Sequence, residues 1–184
     1  MSTFTIPFPE YDIANILQKK FLKKDNFSIA IPLSRQQKFY DLLLVNGKSK
    51  KSVTIQVKSS RTWLGLEKDE YQYYSWFNYF DIKDNYSDFY FLYMTYPLFD
   101  KNFHPRAKWD RKMLVFNQKE MVKLLNNIRT KDGKQERFFS FGFNAVGRKI
   151  YGVRGFNHFS NREFSRNLLE NKLNEIRRKF MTEY

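Results

Sequence analysis

Two neighbouring stretches of the chain carry different hydrophobic patterns, and together they predict a β-hairpin. Residues 42–45 are all apolar, which is typical of a strand covered on both faces. Over residues 53–58 apolar and polar side chains alternate, which predicts a strand with one buried face. Asn46-Gly47 and the lysines after it predict the turn between them. Three polar residues would lie at the end of the hairpin away from this turn: Asp41, Gln56 and Lys58.

The register of the hairpin decides how close these three residues lie to one another. Pairing centred on the turn places Asn46 opposite Val53 and Asp41 beside Lys58. A slip of one or two residues changes the direct partners but leaves Asp41, Gln56 and Lys58 at the same end. The plain alternative is a hairpin with a solvated polar face.

Apolar residues at helical spacing predict a helix ahead of the hairpin. The helix is expected to begin at Pro9 or Glu10, and its acidic start and lysine-rich end suit the helix dipole. The residues that carry the helical spacing are Ile13, Ile16, Leu17, Phe21 and Leu22.

Two segments have the pattern of a capping box, which marks the start of a helix. Residues 117–120 predict a helix to about Ile128, and residues 160–163 predict a terminal helix. The terminal helix has an apolar stripe that belongs either to the core or to a dimer interface: Leu169, Leu173, Ile176 and Phe180.

The rest of the chain predicts further strands and two irregular segments. The aromatic and charged segment 61–85 favours a helix or long loop flanking the sheet, and residues 100–112 favour a basic loop. No internal repeat, low-complexity segment or linker interrupts the chain, so residues 1–184 are expected to form a single domain. The further strands are expected at 27–33, at 87–96 with a stop at Pro97, at 113–116 and at 137–143.

The composition is that of a packed domain without thiol chemistry. The chain has 184 residues, of which 42% are hydrophobic and 19% aromatic, so aromatic rings must fill much of the core. The absence of cysteine removes disulfides and thiolate metal sites and suits a reducing, cytoplasmic setting. With only two histidines, a metal centre built from histidine is not expected.

The formal net charge of +14 favours a polyanionic partner, of which nucleic acid is the commonest. A membrane surface is the competing partner, but no long basic amphipathic helix is found near the N-terminus. The longest dense apolar stretch, 89–94, is too short to span a bilayer, and the first residues do not resemble a signal peptide. The plain alternative is a solvated basic surface without a specific partner.

The order of these elements and the polar pattern on the hairpin resemble the PD-(D/E)XK nuclease superfamily. This superfamily includes many restriction endonucleases and archaeal Holliday-junction resolvases. The resemblance covers about residues 9–96 and rests on Asp41, fourteen intervening residues, and Gln56-Val57-Lys58. It implies an α/β (α+β) fold with a restriction-endonuclease-like core, in which helices flank a central mixed β-sheet. Residues 97–184 would form a C-terminal α/β extension.

Two residues depart from the family pattern, and one supports it. Tyr40 replaces the family's proline, and Gln56 replaces the second acidic residue. Glu10 matches an additional acid that many members carry on the first helix, with Asp12 as the other candidate.

The resemblance implies a magnesium-dependent hydrolysis of phosphodiester bonds, with Mn²⁺ as a substitute and no small-molecule cofactor. Asp41 would be the anionic metal ligand, the Gln56 amide oxygen a neutral ligand and the Val57 carbonyl a third. Lys58 would orient or deprotonate the attacking water and stabilise charge on the phosphate. Glu10 would restore the anionic ligand lost at Gln56.

The predicted function is therefore that of a DNA endonuclease, and a homodimer would supply two sites for double-strand cutting. The first alternative is a nuclease-like module that binds nucleic acid without cutting, and the second is a basic protein–protein adaptor. Cationic and hydroxyl side chains predicted to contact DNA, with ordinary solvation as their alternative, are Lys48, Lys50, Lys51, Ser59, Ser60, Arg61, Arg106, Lys108, Arg111, Arg148, Lys149 and Arg154.

Overall fold

The computed structural model describes residues 8–32, 39–82, 86–99 and 105–181 and shows a mixed α/β fold. Within these residues the chain forms eight strands and three α-helices. In chain order they are α1 (Phe8–Lys20), β1 (Phe27–Ala30), β2 (Leu42–Asn46), β3 (Lys51–Leu64), β4 (Tyr73–Asn78), β5 (Phe89–Phe99), β6 (Pro105–Asn117), α2 (Gln118–Asn126), β7 (Phe138–Phe143), β8 (Ile150–Gly152) and α3 (Leu169–Met181).

The strands form one sheet that branches at β3. The main sheet has the order β1-β2-β3-β5-β6, and all its neighbours are antiparallel except β3 and β5, which run parallel. The end of β3 leaves this pairing at Thr62 and pairs with β4 instead. From there β4, β7 and β8 continue as antiparallel neighbours, and we call these three strands the side sheet.

Both faces of the main sheet are covered, and each cover has its own hydrophobic cluster. On one face α1 and α3 pack against β2, β3 and β5 through residues such as Leu17, Ile55 and Ile176. On the other face α2 and the side sheet pack against β5 and β6 through residues such as Leu92 and Phe141. This double coverage explains the unbroken apolar run of β5.

Aromatic rings fill the space between the main sheet and the side sheet. The Phe156 ring packs against Phe141 and Phe164, with ring centroids 5.2 and 5.1 Å away. A Cβ atom on Gly152 would lie 2.5 Å from the Phe156 ring, so only glycine allows this ring to pack against β8. The high aromatic content is thus used mainly in this half of the core.

Several predicted elements are confirmed, with small differences at their ends. The first helix, the hairpin and the strand 87–96 are present, although β5 runs past Pro97 to Phe99 with a register shift between them. The first strand ends at Ala30, before Pro32. The capping box of α2 is formed in full: the Asn117 side chain accepts from the Glu120 N–H, and the Glu120 carboxylate accepts from the Asn117 N–H.

Three predicted elements are wrong. The helix or long loop expected over 61–85 is wrong for two stretches, because β3 continues to Leu64 and residues 73–78 form β4, while residues 83–85 lie outside the described part of the chain. The predicted basic loop 100–112 is strand β6 from Pro105 onward. The terminal helix begins at Leu169 rather than at residues 160–163, where the Asn161 side chain instead accepts from the Glu163 N–H.

The apolar stripe of the terminal helix belongs to the core. Leu169, Ile176 and Phe180 are buried, and Leu173 packs against the same cluster. Of the two interpretations of this stripe, core and dimer interface, the structure therefore favours the core, and a homodimer would need another surface. No helix among the described residues is long and apolar enough to cross a membrane.

Candidate active site

The β2–β3 hairpin pairs Leu42 with Ile55 and Asn46 with Lys51. This register differs by two residues from pairing centred on a longer turn, and Asp41, just before β2, bonds to Ile55 and Val57 rather than lying beside Lys58. The turn is short because the Asn46 side-chain oxygen accepts hydrogen bonds from the backbone N–H groups that follow, at 3.1 and 2.9 Å. This two-residue shift in register lies within the slip of one or two residues that the sequence allowed.

Asp41 lies where β2 begins to pair with β3. Its backbone N–H donates to the Ile55 carbonyl at 2.8 Å, and its carboxylate accepts from the Val57 N–H at 2.6 Å. The N–H and C=O of one strand residue point to the same edge, so the Val57 carbonyl faces the side of the strand on which Asp41 lies. The arrangement fixes the Asp41 carboxylate and brings the predicted backbone ligand beside it.

Glu10, in the first turn of α1, belongs to the same cluster. Its carboxyl is half-buried, and burial together with the negative charge of Asp41 raises the pKa of Glu10 to about 7. Burial also raises the pKa of Asp41, although the Val57 N–H and the positive charge of Lys58 both act to lower it. Two partly desolvated carboxylates therefore repel each other beside a lysine.

Asp12, the other candidate acid on α1, is held in a different network. Its carboxylate forms an ion pair with Arg111 at 2.8 Å and accepts from the Tyr93 hydroxyl at 2.7 Å. Arg111 was itself a predicted DNA contact, and the structure shows it paired with Asp12. Glu10 is thus the acid that the structure places near Asp41.

Lys58 lies on the same face of β3 as Gln56, because the two residues are separated by one position. Its Nζ lies 5.1 Å from the centroid of the Phe80 ring, within the range of a cation–π contact. Its charge lowers the pKa of Asp41, which places the ammonium near that carboxylate. Lys58 also lines a cleft of about 300 Å³, together with Ser59, Trp76, Phe77, Asn78, Tyr79 and Phe80.

The donor set at this end of the hairpin consists of oxygen atoms, which suits Mg²⁺ or Mn²⁺. Two carboxylates that repel each other are a fitting site for a divalent cation, because the cation would neutralise both. Among the described residues no group of three or more His, Cys, Asp or Glu side chains could hold a metal ion. An ion here would therefore depend on Asp41 and Glu10 with the neutral oxygens of Gln56 and Val57.

The basic turn is not brought to the site. Its lysines lie at the opposite end of the hairpin, and Lys51 and Lys58 are seven residues apart along β3. At about 3.3 Å per residue this separation is roughly 23 Å. The turn residues predicted to bind DNA, and placed away from the carboxylates, are Lys48, Lys50 and Lys51.

The residues after Lys58 have mixed roles. The Ser60 hydroxyl donates to the Trp76 carbonyl at 2.5 Å and accepts from the Trp76 N–H at 3.1 Å, so it connects β3 to β4. Ser59 lines the cleft beside Lys58, and Arg61 is exposed.

The remaining predicted DNA contacts are spread over the side sheet and β6. The Arg154 guanidinium lies 5.6 Å from the centroid of the Trp76 ring and pairs with Glu136 at 3.1 Å. Arg148 and Lys149 line a separate cleft of about 610 Å³. Lys108 is exposed on β6; Arg106 is in the same strand, and its side chain lies outside the described part of the chain.

Trp76, Tyr79 and Phe80 were not predicted as site residues. They lie in a segment that was expected to be helix or loop, so their position beside Lys58 was missed. The signal was present in residues 73–78, where Tyr73, Ser75 and Phe77 are buried and alternate with outward-facing residues.

Comparison of the chain with protein-family models, with curated proteins and with solved structures finds no match.

Proposed function

We propose that this protein is a magnesium-dependent endonuclease that hydrolyses DNA phosphodiester bonds. The observation that carries the proposal is the position of Glu10, Asp41 and Lys58 at one end of the β2–β3 hairpin, where burial and the negative charge of Asp41 raise the pKa of Glu10 and burial raises the pKa of Asp41. Strongly perturbed carboxyls beside a lysine and a cleft are typical of catalytic sites. The net charge of +14 suits a polyanionic substrate.

The chain's own residues have separate tasks in this proposal. Asp41 and Glu10 supply the negative charge that holds the cation, and Gln56 and Val57 supply neutral oxygens. A bound Mg²⁺ would lower the pKa of a coordinated water and polarise the phosphate. Lys58 would orient the attacking water and stabilise the negative charge that develops on the phosphate. The hydrogen bond from the Val57 N–H holds the Asp41 carboxylate in place for this role.

The arrangement of elements gives partial support to a restriction-endonuclease-like core. The order α1-β1-β2-β3, with β5 parallel to β3, agrees with the resemblance described above. The segment between β3 and β5 differs, because it contributes β4 to the side sheet in place of a helix. The support for catalysis therefore comes from the site more than from the topology.

A cleavage assay on plasmid DNA with and without Mg²⁺ tests the proposal. We expect Asp41→Ala and Lys58→Ala to lower cleavage by about 10²-fold or more. Lys131→Ala is the control, because it removes an exposed lysine that is not among the predicted DNA contacts, and it should retain activity. Cleavage that survives both site substitutions would remove the assignment of these residues.

A second function is favoured by Gln56, which replaces an acidic ligand: a nuclease-like module that binds nucleic acid without cutting it. In that case the protein binds DNA in EDTA with a strong salt dependence and shows no cleavage with any divalent cation. Gln56→Glu separates the two. An active enzyme should need less Mg²⁺ after this substitution, whereas the binding module should gain no more than weak cleavage.

A further inference from the structure

We propose that the outer face of the side sheet binds an unpaired nucleic-acid strand and leads it to Lys58. This inference rests on the proposed function, because it names the class of substrate that the same site would cleave: DNA with single-stranded nucleotides beside the scissile phosphate.

The first observation is a row of aromatic side chains on the solvent face of the side sheet. Trp63 pairs with Tyr74 and Asn78 pairs with Phe138, so the residues of each pair share a face with Trp76. Their alternate neighbours on β4 point into the core. Trp63 is 66% exposed, Trp76 38% and Phe138 39%. These rings therefore lie on the surface and are not needed to pack the core.

The second observation is that this face is continuous with the candidate active site. The cleft of about 300 Å³ is lined by Lys58 and Ser59 on β3 and by Trp76 and Asn78 on β4. The Ser60 hydroxyl bonds to the backbone of Trp76 and so holds this part of β4 against β3. A ligand in the cleft would lie against both Trp76 and Lys58.

The third observation is that a cation lies against one of these rings. The Arg154 guanidinium lies over the Trp76 ring, and it also pairs with Glu136. Proteins that bind single strands combine aromatic rings, on which bases stack, with cations that contact the phosphates. In a duplex the faces of the bases are already stacked on one another and cannot reach rings on a sheet. The chemistry therefore favours an unpaired strand over a duplex.

Binding can be measured separately from cleavage in the Lys58→Ala variant with EDTA present. A labelled 20-nucleotide oligo(dT), the same length of oligo(U) and a 20-base-pair duplex serve as probes in fluorescence anisotropy. We expect both single strands to bind at least tenfold more tightly than the duplex. Trp76→Ala, introduced into the Lys58→Ala variant, should weaken single-strand binding about tenfold. Trp76→Phe should restore most of the affinity, since it keeps a ring.

Trp109→Ala is the matched control, because Trp109 is 67% exposed but lies on β6, outside the side sheet. It should leave single-strand binding unchanged. Equal affinity for duplex and single strand, or an equal loss in Trp76→Ala and Trp109→Ala, would overturn the inference. Trp76→Ala that weakens binding to phosphatidylserine vesicles but not to the oligonucleotides would also overturn it.

The outcomes separate this inference from the proposed function. Selective single-strand binding in a wild-type protein that never cleaves leaves the binding face standing and removes the nuclease. Cleavage of duplex DNA by a protein that shows no single-strand preference leaves the nuclease standing and removes the binding face.

Discussion

Two clusters in this protein each combine a lysine with two carboxylates, but the carboxylate charges are stabilised in one cluster and destabilised in the other. Between α2 and α3, the buried Lys172 donates to both oxygens of Glu120 at 2.6 and 2.7 Å and to Glu175 at 2.7 Å. At the end of the β2–β3 hairpin, Glu10 is affected by burial and by the negative charge of Asp41, and Lys58 contacts the Phe80 ring.

The ionisation of the two clusters shows the difference. Although burial acts to raise it, the pKa of Glu175 is held below its usual value by hydrogen bonds from Asn117 and Lys172. The pKa of Glu10 is instead raised to about 7 by burial and by Asp41. In the α2–α3 cluster, hydrogen bonds from within the chain stabilise the negative charge of Glu175. In the hairpin cluster, burial and Asp41 make the negative charge of Glu10 unfavourable. Such an imbalance is expected where a ligand completes the site.

The largest expected effect is on the free energy of unfolding, which Lys172→Ala should lower much more than Lys58→Ala. Lys172→Ala leaves two carboxylates without their buried partner, so we expect a loss of about 2–3 kcal/mol in the free energy of unfolding, less than for a fully buried pair because both glutamates are partly exposed. Lys58→Ala should change it by less than about 0.5 kcal/mol. Urea denaturation measures both, and a larger loss in Lys58→Ala would contradict the comparison.

The next effect is the response to divalent cations. At pH 8, Mg²⁺ at ten times its dissociation constant should stabilise the protein by about 1.4 kcal/mol, or roughly 3 °C in Tm. Asp41→Asn should lose this shift, while Glu120→Gln in the other cluster should keep it. A thermal melt with and without Mg²⁺ measures the shift, and an equal response of both variants would argue against a metal site at the hairpin.

The pH dependence of stability should differ in sign between the clusters. Glu10 binds its proton more tightly in the folded state, so its contribution is favourable at low pH and is lost as the pH rises from about 4.5 to about 7. After discounting for partial exposure, we expect a loss of about 1 kcal/mol. Glu175 has the opposite sign, because its lowered pKa gives stability that is lost as the pH falls below 4.5.

Glu10→Gln isolates the first of these two contributions. Urea denaturation between pH 5 and pH 8 should show a flatter profile for this variant than for the wild type. A profile that keeps the wild-type slope would show that Glu10 does not titrate in this window.

The smallest effect concerns the second acid on α1. Asp12→Asn removes the charge that pairs with Arg111, and we expect a loss of about 0.5–1 kcal/mol with an unchanged Mg²⁺ shift. Glu10→Gln should do the reverse, because it weakens the Mg²⁺ shift without lowering stability at pH 8. A weaker Mg²⁺ shift in Asp12→Asn would reverse the assignment of the two acids.

Local patterns were sufficient for some elements and failed for others. The hairpin followed from the change between a continuous and an alternating apolar pattern, and the α2 cap followed from the spacing of Asn117 and Glu120. The side sheet was missed, because residues 61–85 were judged by their charge and aromatic content rather than by the alternation of 73–78. Residues 160–163 had the composition of a cap but not its geometry.

The sequence by itself determined that Asp41, Gln56 and Lys58 lie at one end of a hairpin, because strand alternation and a short turn leave little freedom. Only the tertiary structure decided which acid of α1 joins them, since Glu10 and Asp12 are two residues apart and the packing of α1 against the sheet separates them. Tertiary structure also brought Trp76 beside Lys58, because the branching of β3 is a long-range pairing that no local pattern specifies.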